Sequence, residues 1–402
     1  MLPHKTDPRW EKIVISDRDV SLNNLATKML LTRVRMMVKN DRSENNIKTA
    51  IDIAYDFFLK NEAIVKADIE ILFKTKTMYS VDEVIKLIKT NATLLISGDE
   101  NLLKQLPKGK WLAGTTPYFM SERGGIFSKT ELQVIEMPKS LSDIKIKSYS
   151  KDQLQNIPKD YFSNGFSYIL IPAFSSIHIT FAKESFNYSG LFDRPLLGWI
   201  AGYDLKENYA KAKVFNGETG EVCEEDAIVL HCQLPAHQYA QINTINLFQQ
   251  GIGDTIQFEK AGFEVNECLI NGNKKNFADY LLENKIDTRL PLVANYSGAM
   301  INASFNKILA TEKRVTLFAP VFPGIEYKIA TPVENYEDEF NAELSRDKIS
   351  PIFSCNCILN YQHAKLENKM LGDITGPITF GEIAYILLNQ TMVYLTIEKK
   401  VS

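Results

Sequence analysis

The last fifty residues constrain the fold more than any other part of the chain. The segment FSCNCILNYQHAKLE, residues 353–367, has the pattern of a buried strand that ends at two cysteines. The segment GPITFGEIAYILLNQTMVYLTI, residues 376–397, places a single carboxylate, Glu382, before a fully apolar run. Residues that control backbone conformation surround this carboxylate: Gly376, Pro377 and Gly381. Backbone freedom beside one acidic group is typical of a small-ligand pocket.

Length and composition set the class of protein. A chain of 402 residues exceeds what one hydrophobic core usually serves, so two domains are expected. Hydrophobic residues make up 45% and charged residues 24%, as in ordinary globular proteins. The 46 basic and 49 acidic residues give a formal charge of −3, which leaves no cationic excess for a nucleic-acid partner.

The termini and cysteines indicate the compartment. The opening residues MLPHKTDPRWEKIVI carry charges and prolines where a secretory signal needs an apolar core, and the apolar runs are too short to span a membrane. We therefore predict a cytoplasmic protein with no membrane partner. Its five cysteines are scattered and odd in number, which argues against a disulfide framework.

Hydrophobic periodicity predicts an α/β fold, with α+β as the alternative, built from mixed sheets in two domains behind a helical N-terminal extension. Residues 18–75 have helical spacing, and the capping boxes Ser80-Val-Asp-Glu83 and Ser150-Lys-Asp-Gln153 predict helix starts. Strand patterns dominate from residue 93. After Pro235 the pattern begins again with a polar helical stretch, so we place the domains at 79–240 and 241–402, with the extension at 1–78.

Four segments, taken in order, resemble the bacterial FIST family of two-part sensory modules. Residues 93–119, TLLISGDENLLKQLPKGKWLAGTTPYF, and 194–202, RPLLGWIAG, are similar to strands and turns of the family's amino-terminal half. Residues 265–281, VNECLINGNKKNFADYL, resemble the opening of its carboxy-terminal half, and FSC (353–355) with FGEI (380–383) resemble its ending. The resemblance covers residues 79–398. It implies a module that binds a small polar metabolite such as an amino acid and signals through a protein partner.

This resemblance, together with the residue types, predicts the ligand contacts. Glu382 would pair with a ligand amine, and Asn356, Thr115 and Thr116 would orient the remainder by hydrogen bonds. The turn Gly114-Thr-Thr-Pro117 and Arg123 suit a carboxylate or phosphate, although an ordinary turn explains the same residues. Gly381 and Cys355 complete the predicted ligand-binding set. No cofactor is predicted, because the chain contains neither a P-loop nor a dinucleotide-binding motif.

The cysteines near the C-terminus leave three interpretations open. Cys355, Cys357 and His363 supply three of the four ligands that a structural zinc site needs, so we predict no metal. A reactive thiol at Cys355 with His363 as its base would make the protein an enzyme of acyl transfer or amide chemistry. Buried, inert thiols on a core strand are the favoured interpretation. A scaffold that docks a partner through residues 18–75 is a further alternative.

Overall fold

The computed structural model describes residues 76–400 apart from 208–209, 297 and 347–350, together with short stretches at 13–15, 49–50, 53 and 73–75. The chain forms two compact units. The first comprises residues 1–78 and 121–123, and the second residues 79–120 and 124–402. The boundaries predicted after residue 78 and between residues 240 and 241 stay predictions.

Strands dominate the described chain. The first strands are β1 Ile13–Ile15, β2 Phe73–Thr75, β3 Met78–Tyr79, β4 Leu94–Gly98, β5 Trp111–Thr115, β6 Tyr118–Ser121, β7 Gly124–Phe127, β8 Leu132–Glu136, β9 Asp143–Tyr149, β10 Gly165–Pro172, β11 Leu196–Ala201, β12 Val214–Asn216, β13 Glu221–Cys223, β14 Ala227–Gln233 and β15 Gln238–Ile245. The later strands are β16 Ile256–Gln257, β17 Gly262–Val265, β18 Glu267–Ile270, β19 Asn273–Asn276, β20 Leu292–Tyr296, β21 Ala299–Ala303, β22 Phe305–Leu309, β23 Arg314–Val321, β24 Tyr327–Ile329, β25 Phe353–Cys357, β26 Gly376–Thr379, β27 Glu382–Ala384, β28 Ile386–Leu388 and β29 Met392–Lys399.

Helices are short and lie between the strands. The α-helices are α1 Val81–Lys89, α2 Glu100–Leu103, α3 Ser176–Glu184, α4 Phe277–Glu283, α5 Tyr336–Arg346 and α6 Ile358–His363. The 3₁₀ helices are Lys151–Asp160, Ser185–Asn187, Leu191–Asp193 and Ala310–Glu312. None of the described helices is long and apolar enough to cross a membrane. The predicted α/β class with mixed sheets is confirmed.

Three sheets of the second unit position the candidate site. The cleft sheet contains β13-β12-β5-β4-β8 in that order, the central sheet β28-β27-β11-β10-β14-β9, and the closing sheet β15-β29-β25-β26-β6-β7. Each contains one parallel pair, namely β4 with β5, β10 with β11 and β25 with β26. Two further sheets follow the orders β19-β18-β16-β24-β20-β21 and β17-β23-β22.

Aromatic packing joins the central and closing sheets. The indole of Trp199 on β11 is stacked on the ring of Phe353 on β25, with 5.5 Å between centroids. Tyr168 on β10 meets the same phenylalanine edge-on at 5.0 Å. All three side chains are at most 2% exposed. Burying rings of this size supplies much of the apolar area that stabilises a core.

Two segments correct or complete the predictions from sequence. The pattern of residues 175–188 fits either strand or helix, and most of this segment is helical, in α3. The helix begins after Ser175, because the Ser175 hydroxyl accepts a hydrogen bond from the backbone of His178 and caps it. The polar helical stretch predicted after Pro235 is wrong, because residues 238–245 form β15. Eight successive residues of β15 pair with β29, and this ladder outweighs a weak local preference for helix.

The predicted helical extension is only partly described. Its backbone at Ile13–Ile15 pairs with Phe73–Thr75 in an antiparallel ladder, so helix is wrong for residues 73–75. The β-branched run Ile13-Val14-Ile15 favours a strand. It supplies the partner strand with which residues 73–75 form backbone hydrogen bonds. Most of the predicted helix at 18–75, including the face proposed for docking a partner, lies outside the described residues.

Candidate functional site

The candidate site is a cleft at the carboxyl ends of three strands. β4 and β5 run parallel from Leu94 paired with Trp111 to Gly98 paired with Thr115, so their ends meet at one edge of the cleft sheet. The end of β11 joins them, because the backbone of Gly202 donates to the Thr115 carbonyl at 2.7 Å. The cleft has a volume of about 290 Å³. Its lining residues are Gly98, Asp99, Glu100, Thr115, Thr116, Pro117, Tyr203, Asp204, Glu207, Ala210, Lys211, Lys213 and Glu224.

Thr115 and Thr116 form the floor of this cleft. The Thr115 hydroxyl donates to the Gly202 carbonyl at 2.7 Å and accepts from the Lys213 amide at 2.9 Å. The Thr116 hydroxyl donates to the Ile378 carbonyl at 2.8 Å and accepts from the Tyr118 amide at 3.2 Å. Both threonines are buried. Their hydroxyls therefore hold neighbouring segments of the cleft lining together, and the ligand contact predicted for both threonines stays a prediction.

Lys213 is the central cation of the cleft. Its ammonium lies 2.7 Å from Glu100 and 3.2 Å from Glu224. The hydrogen bond that Lys213 donates to Glu100 is the main cause of the raised pKa of Lys213. Burial opposes ionisation of Glu100, but Lys104 and Lys213 outweigh it and lower the pKa of that carboxyl. Lys213, Glu100 and Glu224 are therefore all charged at neutral pH.

A second group of ion pairs surrounds Asp204 and Glu207, which also line the cleft. Lys129 lies 2.8 Å from Asp204 and also pairs with Glu207. Burial disfavours the Asp204 carboxylate, but the bond from Lys129 overcomes this and lowers its pKa. The Tyr118 hydroxyl donates to the same carboxylate at 3.4 Å. These contacts fix Asp204 at the rim, directly after the end of β11.

Asp99 differs from the other acidic residues that line the cleft. Its carboxylate caps α2 by accepting from the Asn101 backbone at 2.9 Å, and no described lysine or arginine pairs with it. In total the lining contains five carboxylates and two lysines, so negative charge is in excess. The arrangement favours a polar ligand with a positively charged or hydrogen-bond-donating group at Asp99.

A second concavity, of about 530 Å³, shares Lys213 and Glu224 with the cleft. Within it Glu221, Cys223 and Asp226 bring one thiol and two carboxylates within 4.8 Å of one another. Burial raises the pKa of Cys223 to about 12, assisted by Glu221 and Asp226. Carboxylate and thiolate groups bind metals, but the thiol is protonated at neutral pH and would have to lose its proton first. The prediction that the protein binds no metal considered only Cys355, Cys357 and His363, and it overlooked this group.

Glu382 lies outside the cleft, in a sealed polar cluster between strand ends. Its side chain is 0% exposed. The carboxyl contacts the hydroxyl of Thr379 at 3.0 Å and that of Thr391 at 2.8 Å, and it accepts from the Thr391 amide at 3.3 Å. The Cys357 thiol is a further hydrogen-bond donor to it. Glu382 is therefore not a solvated loop residue, and a ligand could reach it only if these strands separated.

Asn356 belongs to the same cluster. Its Oδ1 accepts from the Cys357 amide at 2.8 Å and from Asn360 Nδ2 at 3.0 Å. Tyr336 on α5 makes side-chain hydrogen bonds with both Asn356 and Asn360.

Gly381 is held by backbone contacts. Its carbonyl accepts from the Ile200 amide at 2.8 Å. A Cβ at this position would lie 3.0 Å from the side chains of both Ile200 and Leu387, so the glycine permits close packing of β27 against β11. Arg123 belongs to the first unit, where its guanidinium lies 3.9 Å from Glu122 and its side chain is exposed. It is not among the residues that line the cleft.

Cys355 and His363 are in different environments. The Cys355 thiol is 1% exposed and contacts the Gly198 carbonyl at 3.6 Å. Burial raises its pKa well above the ordinary value. His363 ends α6 with an exposed side chain, and partial desolvation of its ring together with the charge of Arg289 lowers its pKa. A buried, protonated thiol is a poor nucleophile, so the geometry gives no support to the cysteine enzyme.

Sequence reasoning missed Asp99, Tyr203, Asp204 and Lys213. A usable signal was present, because Asp99 directly follows β4, Tyr203 and Asp204 come shortly after β11, and both strands are apolar runs in the sequence. Ligands of open α/β sheets bind beside the carboxyl ends of strands. What the sequence did not reveal is that β4, β5 and β11 end beside one another.

Comparisons with known proteins identify the family. A family model described as a family of unknown function, DUF6976, matches residues 79–398, so the chain belongs to this family. The matched range begins where the second compact unit begins and covers the cleft and the polar cluster around Glu382. A search of curated proteins finds no match.

Proposed function

We propose that the protein binds a small polar metabolite in the cleft at the ends of β4, β5 and β11 and acts as a sensory module. The observation that carries the proposal is the convergence of three strand ends on one cleft. Asp99 lines this cleft and has no cationic partner among the described residues. Ligands of α/β proteins bind at such strand ends, where chain segments diverge.

The dimensions of the cleft restrict the ligand. A volume of about 290 Å³ is at the lower end of the range for small-molecule sites, roughly 300–1,000 Å³. This favours a metabolite of amino-acid size over a nucleotide or a peptide. Apolar contact is available from the ring of Tyr203 and from Pro117, which both line the cleft.

The charges of the cleft suggest how the ligand is oriented. A ligand amine would pair with Asp99, whose carboxylate is already fixed by its capping bond to Asn101. A ligand carboxylate would approach Lys213, which is shared between Glu100 and Glu224. Two side chains of opposite charge that are already fixed would orient a zwitterion without a large ordering cost.

A sensory role requires the ligand to alter a surface that a signalling partner contacts. Two ion pairs attach Asp204 and Lys213 to other parts of the fold, through Lys129 and Glu224 respectively. A ligand that takes up one of these charges would shift Asp204 or Lys213. Such a shift would couple occupancy of the cleft to the protein surface, because the ligand would bind the shifted conformation and the unshifted one with different affinities.

A thermal-shift screen with two variants tests the proposal. The full chain is screened against amino acids, amines and organic acids. Asp99→Asn removes the charge but keeps a good helix cap, so its melting temperature without ligand should remain close to wild type. The shift produced by an active metabolite should disappear in Asp99→Asn and persist in Asp82→Asn, which removes an acidic residue from the first turn of α1. An undiminished shift in Asp99→Asn contradicts the assignment.

A further inference from the structure

Glu382 sits where four strands meet. It is the first residue of β27, and it contacts Thr379 at the end of β26, Thr391 immediately before β29, and Cys357 at the end of β25. Its own backbone pairs with Trp199 on β11 and with Leu388 on β28. One carboxyl group thus links elements of both the central and the closing sheets.

The hydrogen bonds around this carboxyl are compatible with a proton on Oε1. Thr379 Oγ1 lies 3.0 Å from Glu382 Oε1 and 3.3 Å from the carbonyl oxygen of Asn356. A hydroxyl has only one hydrogen to donate. If it is donated to the Asn356 carbonyl, the hydrogen between Thr379 and Glu382 must come from the carboxyl group. Protonated Glu382 then donates from Oε1, while Oε2 accepts from the amide and hydroxyl of Thr391. The Cys357 thiol donates to the same carboxyl group.

The surroundings contain no compensating charge among the described residues. The titratable groups that face Glu382 are Cys355 and Cys357 on β25 and Tyr336 on α5. All three are neutral when protonated, and none can supply a cation. The contacts from β26 and β29 come from threonines, and those from β11 and β28 are backbone pairs with Trp199 and Leu388. An ionised carboxylate here would be a buried charge without a partner, which costs several kcal/mol in proteins.

We infer that Glu382 is a neutral carboxylic acid in the folded protein at neutral pH and that its proton locks the ends of β25, β26 and β29 together. Burial raises the pKa of Glu382 to about 8, which agrees with the hydrogen-bond pattern. At higher pH the proton leaves Oε1 for solvent, the Thr379 hydroxyl turns from the Asn356 carbonyl to donate to the carboxylate, and a charge without a cationic partner remains between the strands. The lock therefore opens in alkaline conditions.

The direction of the pH dependence follows from linkage. The ordinary pKa of glutamate is 4.5, and it applies to the unfolded chain. Between about pH 4.5 and 8 the folded protein keeps the proton while the unfolded chain has lost it. Unfolding then releases a proton, so a rise in pH favours the unfolded state. This group alone reduces the folding equilibrium constant about tenfold for each pH unit in that window.

Chemical denaturation of the full chain at a series of pH values tests the lock. Glu382→Gln keeps the shape of the neutral acid, and its amide can donate to Thr379 as the acid does. The ratio of its folding constant to that of wild type should rise about tenfold per pH unit between about pH 5 and 8. The control Glu283→Gln, at an exposed position on α4, should run parallel to wild type. Parallel curves for Glu382→Gln would overturn the inference.

Infrared spectroscopy of the wild-type protein gives a second test that does not depend on the variant folding. A neutral carboxylic acid has a carbonyl band that a carboxylate lacks. With ¹³C-labelled glutamate, an isotope-shifted band at neutral pH that disappears reversibly on raising the pH supports the inference. Labelling glutamate also separates this signal from Asp226, whose pKa is raised as well. Absence of any labelled carbonyl band at neutral pH would contradict it.

Discussion

The hydroxyl of Thr116 donates to the carbonyl of Ile378 at 2.8 Å and so joins two parts of the chain that are 262 residues apart. Thr116 lines the cleft, and Ile378 is the residue before Thr379, which contacts Glu382. The ring of Phe380, two residues after Ile378, lies 5.1 Å from that of Tyr203 on the cleft wall. β26 therefore connects the proposed ligand site with the polar cluster around Glu382.

Replacing Thr116 with valine removes this connection. The Ile378 carbonyl and the Tyr118 amide would both lose a buried hydrogen-bond partner. Leaving buried polar groups unpaired costs about 1–3 kcal/mol, so the free energy of unfolding should fall by that order. Denaturant titration measures it. The exposed control Thr331→Val should change stability by less than about 0.5 kcal/mol, and equal effects from the two variants would count against the assigned bond.

Gly376 is predicted to tolerate no side chain. A Cβ there would lie 1.8 Å from the carbonyl oxygen of Ser354, because β25 and β26 are packed backbone to backbone at this point. Gly376→Ala should therefore destabilise the fold by about 1–3 kcal/mol or more, since backbone atoms cannot move aside cheaply. Gly253→Ala is the matched control, because a Cβ at that position meets nothing within 4 Å. Similar melting temperatures for the two variants would show that β25 and β26 are not so close.

The C-terminal segment shows what the sequence can predict. Its glycines and the buried strand at 353–357 were identified from local pattern alone, and Gly376 and Gly381 do permit close backbone approach. The helix at 277–283 has a local cause of the same kind, because Asn276 caps it. Such features depend on neighbouring residues, so one sequence is enough to reveal them.

The cleft depends on information of another kind. Asp99, Thr115, Asp204 and Lys213 are distant in sequence and meet only because β5 pairs with β4 and its end contacts the segment after β11. Residues 238–245 illustrate the same limit. Their polar composition is common in helices, and only the ladder with β29 makes them a strand. Pairings between distant segments are set by the whole core, and a local pattern does not contain them.

Alkylation distinguishes inert from reactive cysteines. The five cysteines are all buried, and burial raises the pKa of Cys355 and of Cys357 well above the ordinary thiol value. Iodoacetamide at neutral pH should leave Cys355 unmodified in the native protein and label it after unfolding. Mass spectrometry of peptides reports both states. Fast labelling of native Cys355 that slows in His363→Ala would revive the enzyme alternative.

His231 should make stability sensitive to acid. Its side chain is fully buried between Tyr149 and Ser167, with hydrogen-bond distances of 2.9 Å and 2.8 Å. Burial lowers its pKa to about 4 from an ordinary value of 6.5. Between these values the unfolded chain binds a proton that the folded protein does not, so stability falls as the pH decreases through this window.

The loss from His231 amounts to about 1.4 kcal/mol per pH unit. His231→Gln removes the titrating group, so the difference in unfolding free energy between this variant and wild type should change by that amount over the window. Denaturant titrations at several acidic pH values measure it. His237→Gln, at an exposed position, serves as the control. An unchanged difference across the window would mean that His231 is protonated in the folded protein.

Native mass spectrometry tests the central claim most directly. The purified full chain is incubated with a small-metabolite extract, desalted and weighed intact, alongside Asp99→Asn and Asp82→Asn. The account predicts that wild type and Asp82→Asn retain one small molecule of the same mass, released on denaturation, and that Asp99→Asn retains little or none. Equal retention by Asp99→Asn, or no adduct on wild type, would contradict a ligand site in the cleft at the ends of β4, β5 and β11.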